Sequence, residues 1–175
     1  FDALLEQAVM LVSQTLEVEF CEVLELTPDG HRLLLRAGAG WKEGLVGTAT
    51  MDAGRESQAG FTLNSGEPVV VDDFRHETRF QAPPLLTEHG VVSGVSVVIA
   101  TRQRPYGVLG AHTARARKFT GEEAHFLMSV ATALAMAAER SRAEAELQKL
   151  AAFAQLNPNA ALELAPDGTI TYFND

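Results

Sequence analysis

Three of the five histidines, His76, His89 and His112, are the side chains best suited to acid–base chemistry or metal binding. Zinc sites use histidines at recurring spacings, such as two residues four apart on one helix. No pair among these three has such a spacing, which favours a structural or pocket-lining role over metal ligation. The sequence therefore predicts no metal site and no resident cofactor.

The single cysteine, Cys21, has no partner for an intrachain disulfide or a cysteine metal cage. Its apolar neighbours Phe20, Val23 and Leu24 favour a small buried side chain over a redox sensor. No nucleophile, base and orienting partner stand in a recognisable constellation, so we expect no catalytic residues. A lone thiol also favours a cytoplasmic protein.

Charged, aromatic and hydroxyl side chains in the middle of the chain are the candidates for recognising a small polar ligand. Arginine offers a bidentate fork to a carboxylate or phosphate, whereas aromatic rings fill a core or line a pocket. For Asp73, a turn-stabilising role in a solvated loop is an equal alternative. The candidate pocket residues are Trp41, Phe61, Asp73, Phe74, Arg79, Phe80, His89, Ser96 and His112.

The net charge of the chain excludes two classes of partner. With 23 acidic and 14 basic residues, the chain carries −9 at pH 7, which repels nucleic-acid phosphates and anionic lipid headgroups. The longest strongly apolar runs, VSVVIA and SVATALAMAA, are shorter than the roughly 18 to 20 residues of a membrane span. We therefore expect a soluble domain that contacts neither nucleic acid nor membrane.

Apolar periodicity predicts the elements that position these candidates. Residues 2–17 have the pattern of an amphipathic helix, and FCEVLEL, TPDG and RLLLRA predict a β-hairpin. Four glycines in residues 38–50 predict a loop anchored by Trp41. Residues 56–65 predict a short helix ended by Gly66, and PVVVD predicts a strand.

The second half of the chain predicts a short helix, two strands and one long helix. Residues 85–89 form the short helix within an irregular stretch. VVSGVSVVIA and YGVLGAHTA predict strands that pair near the centre of the sheet. Thr120 and Glu123 form a T-x-x-E capping box, and because the next proline is Pro158, a helix of about 30 to 36 residues is allowed.

The long helix carries two apolar faces. Leu127, Leu134 and Ala138 lie on one face, which suits packing on the sheet. A second face continues past Glu139 at alternating steps of three and four, the pattern of a two-stranded coiled coil. We name this second face the helix seam and predict a homodimer through it. Its members are Phe126, Ala133, Met136, Arg140, Ala143, Leu147 and Leu150.

Four motifs in order resemble those of the GAF domain family across about residues 1–140. G-x-P-V-x-V-x-D stands at residues 66–73, an acidic-aromatic loop ending in R-F at 73–80, Y-G-V-L-G at 106–110 and F-T-x-E-E at 119–123. The resemblance implies an α+β fold. A central antiparallel sheet would carry the N- and C-terminal helices on one face and the pocket loops on the other.

Residues 157–175, NPNAALELAPDGTITYFND, resemble the truncated opening of a PAS domain, and residues 141–156 would be a coiled-coil signalling helix before it. This order is typical of bacterial sensor proteins, most often histidine kinases. The resemblance implies a sensory module that binds a small molecule or transmits a signal through a dimeric helix. The alternative is a structural dimerisation module with no ligand.

No particular ligand follows from the resemblance. GVLGAHT, which contains His112, is similar to the GLIACHH strand of phytochrome GAF domains, in which a histidine faces the chromophore. The aspartate-isoleucine-proline motif is missing, however, and Ala82 stands where the second phytochrome histidine would align. These two differences disfavour a bilin, and the spacing of the histidines disfavours haem. The cysteines of methionine sulfoxide reductases and the cyclic-nucleotide signature are missing too.

Overall fold

The computed structural model describes residues 1–156, 162–164 and 170–173, and the side chains of residues 1–152. The contacts between residues divide the chain into two compact units, residues 1–138 and residues 139–175. The helices are α1 (Asp2–Leu16), α2 (Gln58–Ser65), α3 (Pro84–Thr87) and α4 (Gly121–Leu156), with a 3-10 turn at Phe74–His76. The strands are β1 (Phe20–Leu26), β2 (Arg32–Ala39), β3 (Thr50–Asp52), β4 (Val69–Val71), β5 (Ser93–Ile99), β6 (Gly107–Thr113), β7 (Leu162–Leu164) and β8 (Ile170–Phe173).

Strands β1 to β6 form one antiparallel sheet in the order β3-β2-β1-β6-β5-β4. Consecutive strands β5 and β6 pair along their whole length, as predicted. Because successive strand residues point to opposite faces, Val23 and Leu109 face one side while Leu24 and Val108 face the other. The predicted α+β fold is confirmed.

Helices α1 and α4 cover one face of this sheet and supply the larger core. Full burial of a leucine or valine contributes about 1.5–3 kcal/mol, so this face holds much of the folding energy of residues 1–138. The buried helix residues here are Leu5, Ala8, Val9, Val12, Leu16, Ala124, Leu127, Ala131, Leu134, Ala135 and Ala138.

Cys21 lies in the same core and is fully buried. Burial raises the pKa of its thiol well above the usual range, so the reactive thiolate is suppressed. The expectation of a small apolar side chain at this position is confirmed.

Several element boundaries differ from the sequence prediction, and the short helix predicted over residues 85–89 is α3 at Pro84–Thr87. Strand β2 runs to Ala39, two residues into the predicted loop, and Thr50–Asp52, which starts at the end of that loop, forms the edge strand β3. These residues become extended because they pair with strands already in the sheet. Helix α2 begins two residues later than predicted because Ser57 caps it, its Oγ accepting from the Gly60 N–H at 3.1 Å.

Helix α4 is a single helix of 36 residues, the longest that its sequence allows. The predicted capping box is present: Glu123 N–H donates to Thr120 Oγ1 at 3.2 Å, and Thr120 N–H donates to Glu123 Oε2 at 2.7 Å. In the part of the chain described, no helix is both long and apolar enough to cross a membrane.

Strands β7 and β8 pair antiparallel, with Leu162 opposite Phe173. Residues 165–169, between them, lie outside the described residues. Residues 157–161, which carry the N-P part of the PAS resemblance, also lie outside them.

Candidate functional site

The face of the sheet opposite α1 and α4 carries a row of polar residues beside glycines. Glu22 on β1 and Ser96 on β5 both pair with Gly110 on β6, and His112 pairs with Gly94. A Cβ at Gly94 would overlap His112 Nδ1, and one at Gly110 would overlap Glu22 Oε1 and lie 2.9 Å from His112 Nε2. The glycines therefore provide the space that these two side chains occupy.

Glu22 and His112 form a buried hydrogen-bonded pair. His112 Nε2 lies 2.6 Å from Glu22 Oε1. Only 2% of the surface of His112 and 3% of that of Glu22 is exposed. The imidazole N–H donates to the carboxylate, which is an acceptor when ionised. Each residue also keeps one buried atom, Glu22 Oε2 and His112 Nδ1, with no hydrogen-bond partner among the described residues.

Gln58, at the start of α2, contributes a third such atom. Its Nε2 donates to the Val69 carbonyl at 3.2 Å, which orients the amide. Its Oε1 has no partner among the residues that the structure describes. Nearby, the Thr62 hydroxyl donates to the Gln58 carbonyl at 2.8 Å and lies 2.7 Å from Ser96 Oγ.

These side chains enclose a small cavity, which we name the Glu22 cavity. Its volume is about 10 Å³, close to the space that one water-sized group occupies. Its lining combines polar and apolar side chains, the combination that positions and then retains a small ligand. The cavity is lined by Glu22, Leu24, Met51, Gln58, Ala59, Pro83, Leu86, Ser96 and His112.

Of the predicted pocket residues, Ser96 and His112 line this cavity. The rings of Trp41 and Phe74 lie beside His112, each with its centroid 6.3 Å from the imidazole centroid. Trp41 Nε1 donates to the Cys21 carbonyl at 2.9 Å, and the indole ring packs over Gly38. The predicted role of Trp41 as the anchor of its loop is confirmed.

His89 joins the two segments that cover this face. Its Nδ1 lies 2.7 Å from the Leu85 carbonyl, and its Nε2 accepts from the Lys42 N–H at 3.1 Å. Since a carbonyl only accepts and a backbone N–H only donates, this arrangement requires the Nδ1-protonated neutral tautomer. The imidazole also packs edge-on against Trp41 and Phe20.

Phe61, Phe80 and Arg79 form a separate group. The two rings have centroids 5.2 Å apart, and the guanidinium of Arg79 lies 5.3 Å from the Phe80 centroid. Arg79 also hydrogen-bonds to Glu77 and lowers the pKa of that carboxyl to about 2. These three predicted pocket residues do not line the Glu22 cavity.

Asp73 acts on its own loop. Its carboxylate accepts from the Arg75 N–H at 2.9 Å and so caps the 3-10 turn, and hydrogen bonds from the Arg75 side chain and backbone hold the pKa of Asp73 well below its usual range. With Arg79 it lines an open cleft of about 400 Å³ beside β4. Among the described residues, no group of three or more histidine, cysteine, aspartate or glutamate side chains is arranged to hold a metal ion.

Sequence analysis missed Glu22 and Gln58. A signal for Glu22 exists in FCEVLEL, since it shares the alternation of Phe20 and Leu24, which places a carboxylate on the covered face of a strand. Gln58 carries no comparable signal, because its burial depends on how α2 packs on the sheet.

The model of the GAF domain family matches residues 1–138, and the chain belongs to this family. GAF domains are sensory and signalling modules that are not themselves catalytic. No curated protein matches the chain.

Solved structures with the same fold include GAF domains of bacterial proteins. That of a phosphoenolpyruvate-protein phosphotransferase from Coxiella burnetii is 21% identical, with a TM-score of 0.75 over 83% of this chain and 86% of that chain. Its counterpart from Acinetobacter is also 21% identical, with a TM-score of 0.70 over 81% and 84%. A domain of a putative two-component sensor histidine kinase from Sinorhizobium meliloti is 16% identical, with a TM-score of 0.65 over 85% and 96%. At these identities the likeness shows the fold alone.

Proposed function

We propose that this chain is a homodimeric sensory module of a bacterial signal-transduction protein, in which α4 passes the state of the GAF domain to a following domain. The observation that carries the proposal is the division of α4 into two faces. Leu127 and Leu134 are buried in the sheet core, whereas Met136, Leu147 and Leu150 are 69%, 67% and 58% exposed in the single chain.

The helix seam supports self-association along most of its length. Ala133, Met136, Arg140, Ala143, Leu147 and Leu150 are all exposed, and only Phe126 is half-buried against its own core. Burying a leucine contributes about 1.5–3 kcal/mol, so pairing two such helices is favourable. A helix held by the domain at one end and by a twin helix along its length can carry a rigid-body shift.

The test is the oligomeric state of the 175-residue chain. We expect light scattering to show a dimer, and we expect Leu147→Glu with Leu150→Glu to give monomers, because two carboxylates would be buried at the pairing surface. Lys149→Glu introduces the same residue outside the helix seam and is expected to stay dimeric. A native chain that is monomeric at high concentration, or a double variant that stays dimeric, would contradict the proposal.

The Glu22 cavity supports a ligand-binding role within this module. Leaving a buried polar atom without a partner costs roughly 1–3 kcal/mol, and three residues that line this cavity, Glu22, Gln58 and His112, each carry such an atom. A core selected for packing alone would place apolar groups there. We therefore propose that a small polar molecule binds between the sheet and its covering loops.

A second candidate function, a structural dimerisation module without a ligand, is favoured by the packing around the cavity. Phe74 and Phe80 are buried with Trp41 against them, and little open space is left. A thermal-shift screen against a metabolite library distinguishes the two functions. A stabilising compound supports the sensory module, and uniform midpoints across the library support the structural one.

The signalling context is part of the same proposal. It is supported by the resemblance of residues 157–175 to the start of a PAS domain, and by similar folds in a histidine kinase protein and a methyl-accepting chemotaxis protein. We propose a cytoplasmic location, which the single buried cysteine favours.

A further inference from the structure

The polar atoms around the Glu22 cavity are mainly hydrogen-bond acceptors. Because Gln58 Nε2 donates to the Val69 carbonyl, the atom of its amide without a partner is the oxygen. Glu22 Oε1 accepts from His112, which leaves Oε2 as a second acceptor. A ligand that satisfies both oxygens has to bring at least two N–H or O–H donors.

Ser96 adds a third acceptor. The proton of the Thr62 hydroxyl is used by the Gln58 carbonyl, so the 2.7 Å contact between Thr62 Oγ1 and Ser96 Oγ requires Ser96 to donate. Ser96 Oγ then offers only lone pairs to any further partner. The side-chain oxygens of Glu22, Gln58 and Ser96 are thus available to a ligand as acceptors only.

The charge of the lining points to the same class of ligand. Glu22 is its one acidic residue, none of its members is lysine or arginine, and the only basic group, His112, is already bonded to Glu22. An anion here would face a carboxylate at close range in a medium of low polarity, where like charges repel strongly. A cation with N–H groups would instead form charge-assisted hydrogen bonds.

We propose that the Glu22 cavity binds a protonated amine, whose ammonium group donates to Glu22 Oε2 and Gln58 Oε1. This inference rests on the proposed ligand-binding function and names the ligand class. A substituent on the nitrogen would face the apolar lining residues Leu24, Met51 and Leu86. His112 is a positioning residue that holds the Glu22 carboxylate in place.

The volume of the cavity limits how large this ligand is before the cover moves. About 10 Å³ accommodates one non-hydrogen atom, which matches an ammonium nitrogen. Any amine with a substituent, methylammonium included, has to displace the lining residues Pro83 and Leu86, which belong to the segment that covers the cavity. That cover is joined to the loop of Trp41 through His89, so a larger amine would shift both covering segments.

The experiment compares ammonium chloride with potassium chloride on the isotope-labelled 175-residue chain. The two cations carry the same charge and differ in their ability to donate hydrogen bonds. We expect ammonium and methylammonium to cause saturable shifts in the backbone amide signals of Glu22, Gln58 and His112, and we expect potassium at the same ionic strength to cause none.

Two variants test the assigned atoms. Glu22→Gln removes the charge while keeping the shape and is expected to weaken methylammonium binding at least tenfold. Gln58→Met, which removes the second acceptor, is expected to weaken methylammonium binding as well. It replaces Glu22→Gln as the test if that variant does not fold, which a loss of dispersion in its amide spectrum would show. Glu25→Gln is the matched control, since Glu25 lies on the same strand but pairs with Arg36 outside the cavity.

Equal responses to potassium and ammonium would overturn the inference, as would unchanged binding in a folded Glu22→Gln variant. A native chain without a saturable response to ammonium or methylammonium would also overturn it. The two proposals can fail separately. A dimeric chain that does not bind amines would contradict only the assignment of the ligand class, and a monomeric chain that binds methylammonium would contradict only the proposed signalling through a dimeric helix.

Discussion

At the scale of single residues, Gly94 illustrates how the sheet makes room for polar side chains. Its Cα faces the imidazole of His112 so closely that any Cβ would overlap Nδ1. A ring has no flexible end that can move aside, unlike a long aliphatic chain. The space above Gly94 is therefore filled by the imidazole of His112 and is available only because Gly94 has no side chain.

Gly94→Ala is expected to destabilise the domain by about 1–3 kcal/mol, because the added methyl displaces the His112 ring and strains its bond to Glu22. Urea unfolding measures the change. Gly121→Ala is the control, since a Cβ there meets no atom within 4 Å. The explanation fails if the cost of Gly94→Ala is unchanged in a His112→Ala background, where the obstacle has been removed.

At the scale of elements, the edge strand β4 is supported by Arg79. One guanidinium nitrogen donates to the Val70 carbonyl at 2.8 Å, and the same group hydrogen-bonds to Glu77. An edge strand exposes backbone groups that need partners, and a three-residue strand has few of its own. The ion pair therefore fixes the segment after β4 onto the strand.

This ion pair predicts a dependence of stability on pH. Arg79 lowers the pKa of Glu77 to about 2 in the folded chain, against 4.5 as the ordinary value. The contribution of this ion pair to the free energy of unfolding is present above about pH 4.5 and is lost as pH falls towards 2, because Glu77 takes up a proton in the unfolded chain at a higher pH than in the folded chain. Arg79 is exposed, so the effect is expected to be small and weakened by salt.

Glu77→Gln should flatten the fall in the free energy of unfolding between pH 5 and pH 3, measured by urea denaturation. Glu67→Gln, the same change at an exposed position two residues before β4, should leave the fall as it is in the native chain. A Glu77→Gln curve parallel to that of the native chain would show that the ion pair does not contribute.

At the scale of the whole molecule, the core within residues 1–138 includes the first half of α4. Leu127, Ala131, Leu134 and Ala138 provide the contacts of that helix with the sheet, so the helix beyond them is not needed to complete the core. The helix seam past Glu139 is instead available for a partner.

Residues 1–138 alone are therefore expected to unfold cooperatively and to give a dispersed amide spectrum, because their core is complete. They are also expected to be monomeric, whereas residues 1–156 are expected to form a dimer through the helix seam. Light scattering and thermal unfolding on the two lengths check both points. A shorter chain that fails to fold would mean that pairing of α4 is part of folding.

Much of the architecture follows from local patterns. Helix α4 was predictable over its full length because its capping box and the distance to the next proline are both local signals. Strand β3 was not, since Thr50–Asp52 has no alternation of its own and becomes a strand only by pairing with β2. Local patterns are sufficient to specify a strong element, whereas a strand with a weak local pattern forms only where a neighbouring strand pairs with it.

The candidate site divides in the same way. Ser96 and His112, two of the candidate pocket residues named from the sequence, both line the cavity. Phe61 and Arg79 have suitable chemistry but form a separate cluster, because chemistry alone does not say which way a loop turns. Only the packing of α2 on the sheet brings Gln58 to the cavity.

The sequence by itself determined the family, the longer helices and strands in their order and the two faces of α4, since periodicity encodes which side of an element is apolar. The tertiary structure alone decided that His112 meets Glu22, a residue 90 positions away. That contact depends on the register between β1 and β6, and a shift of one residue would turn one partner to the opposite face of the sheet.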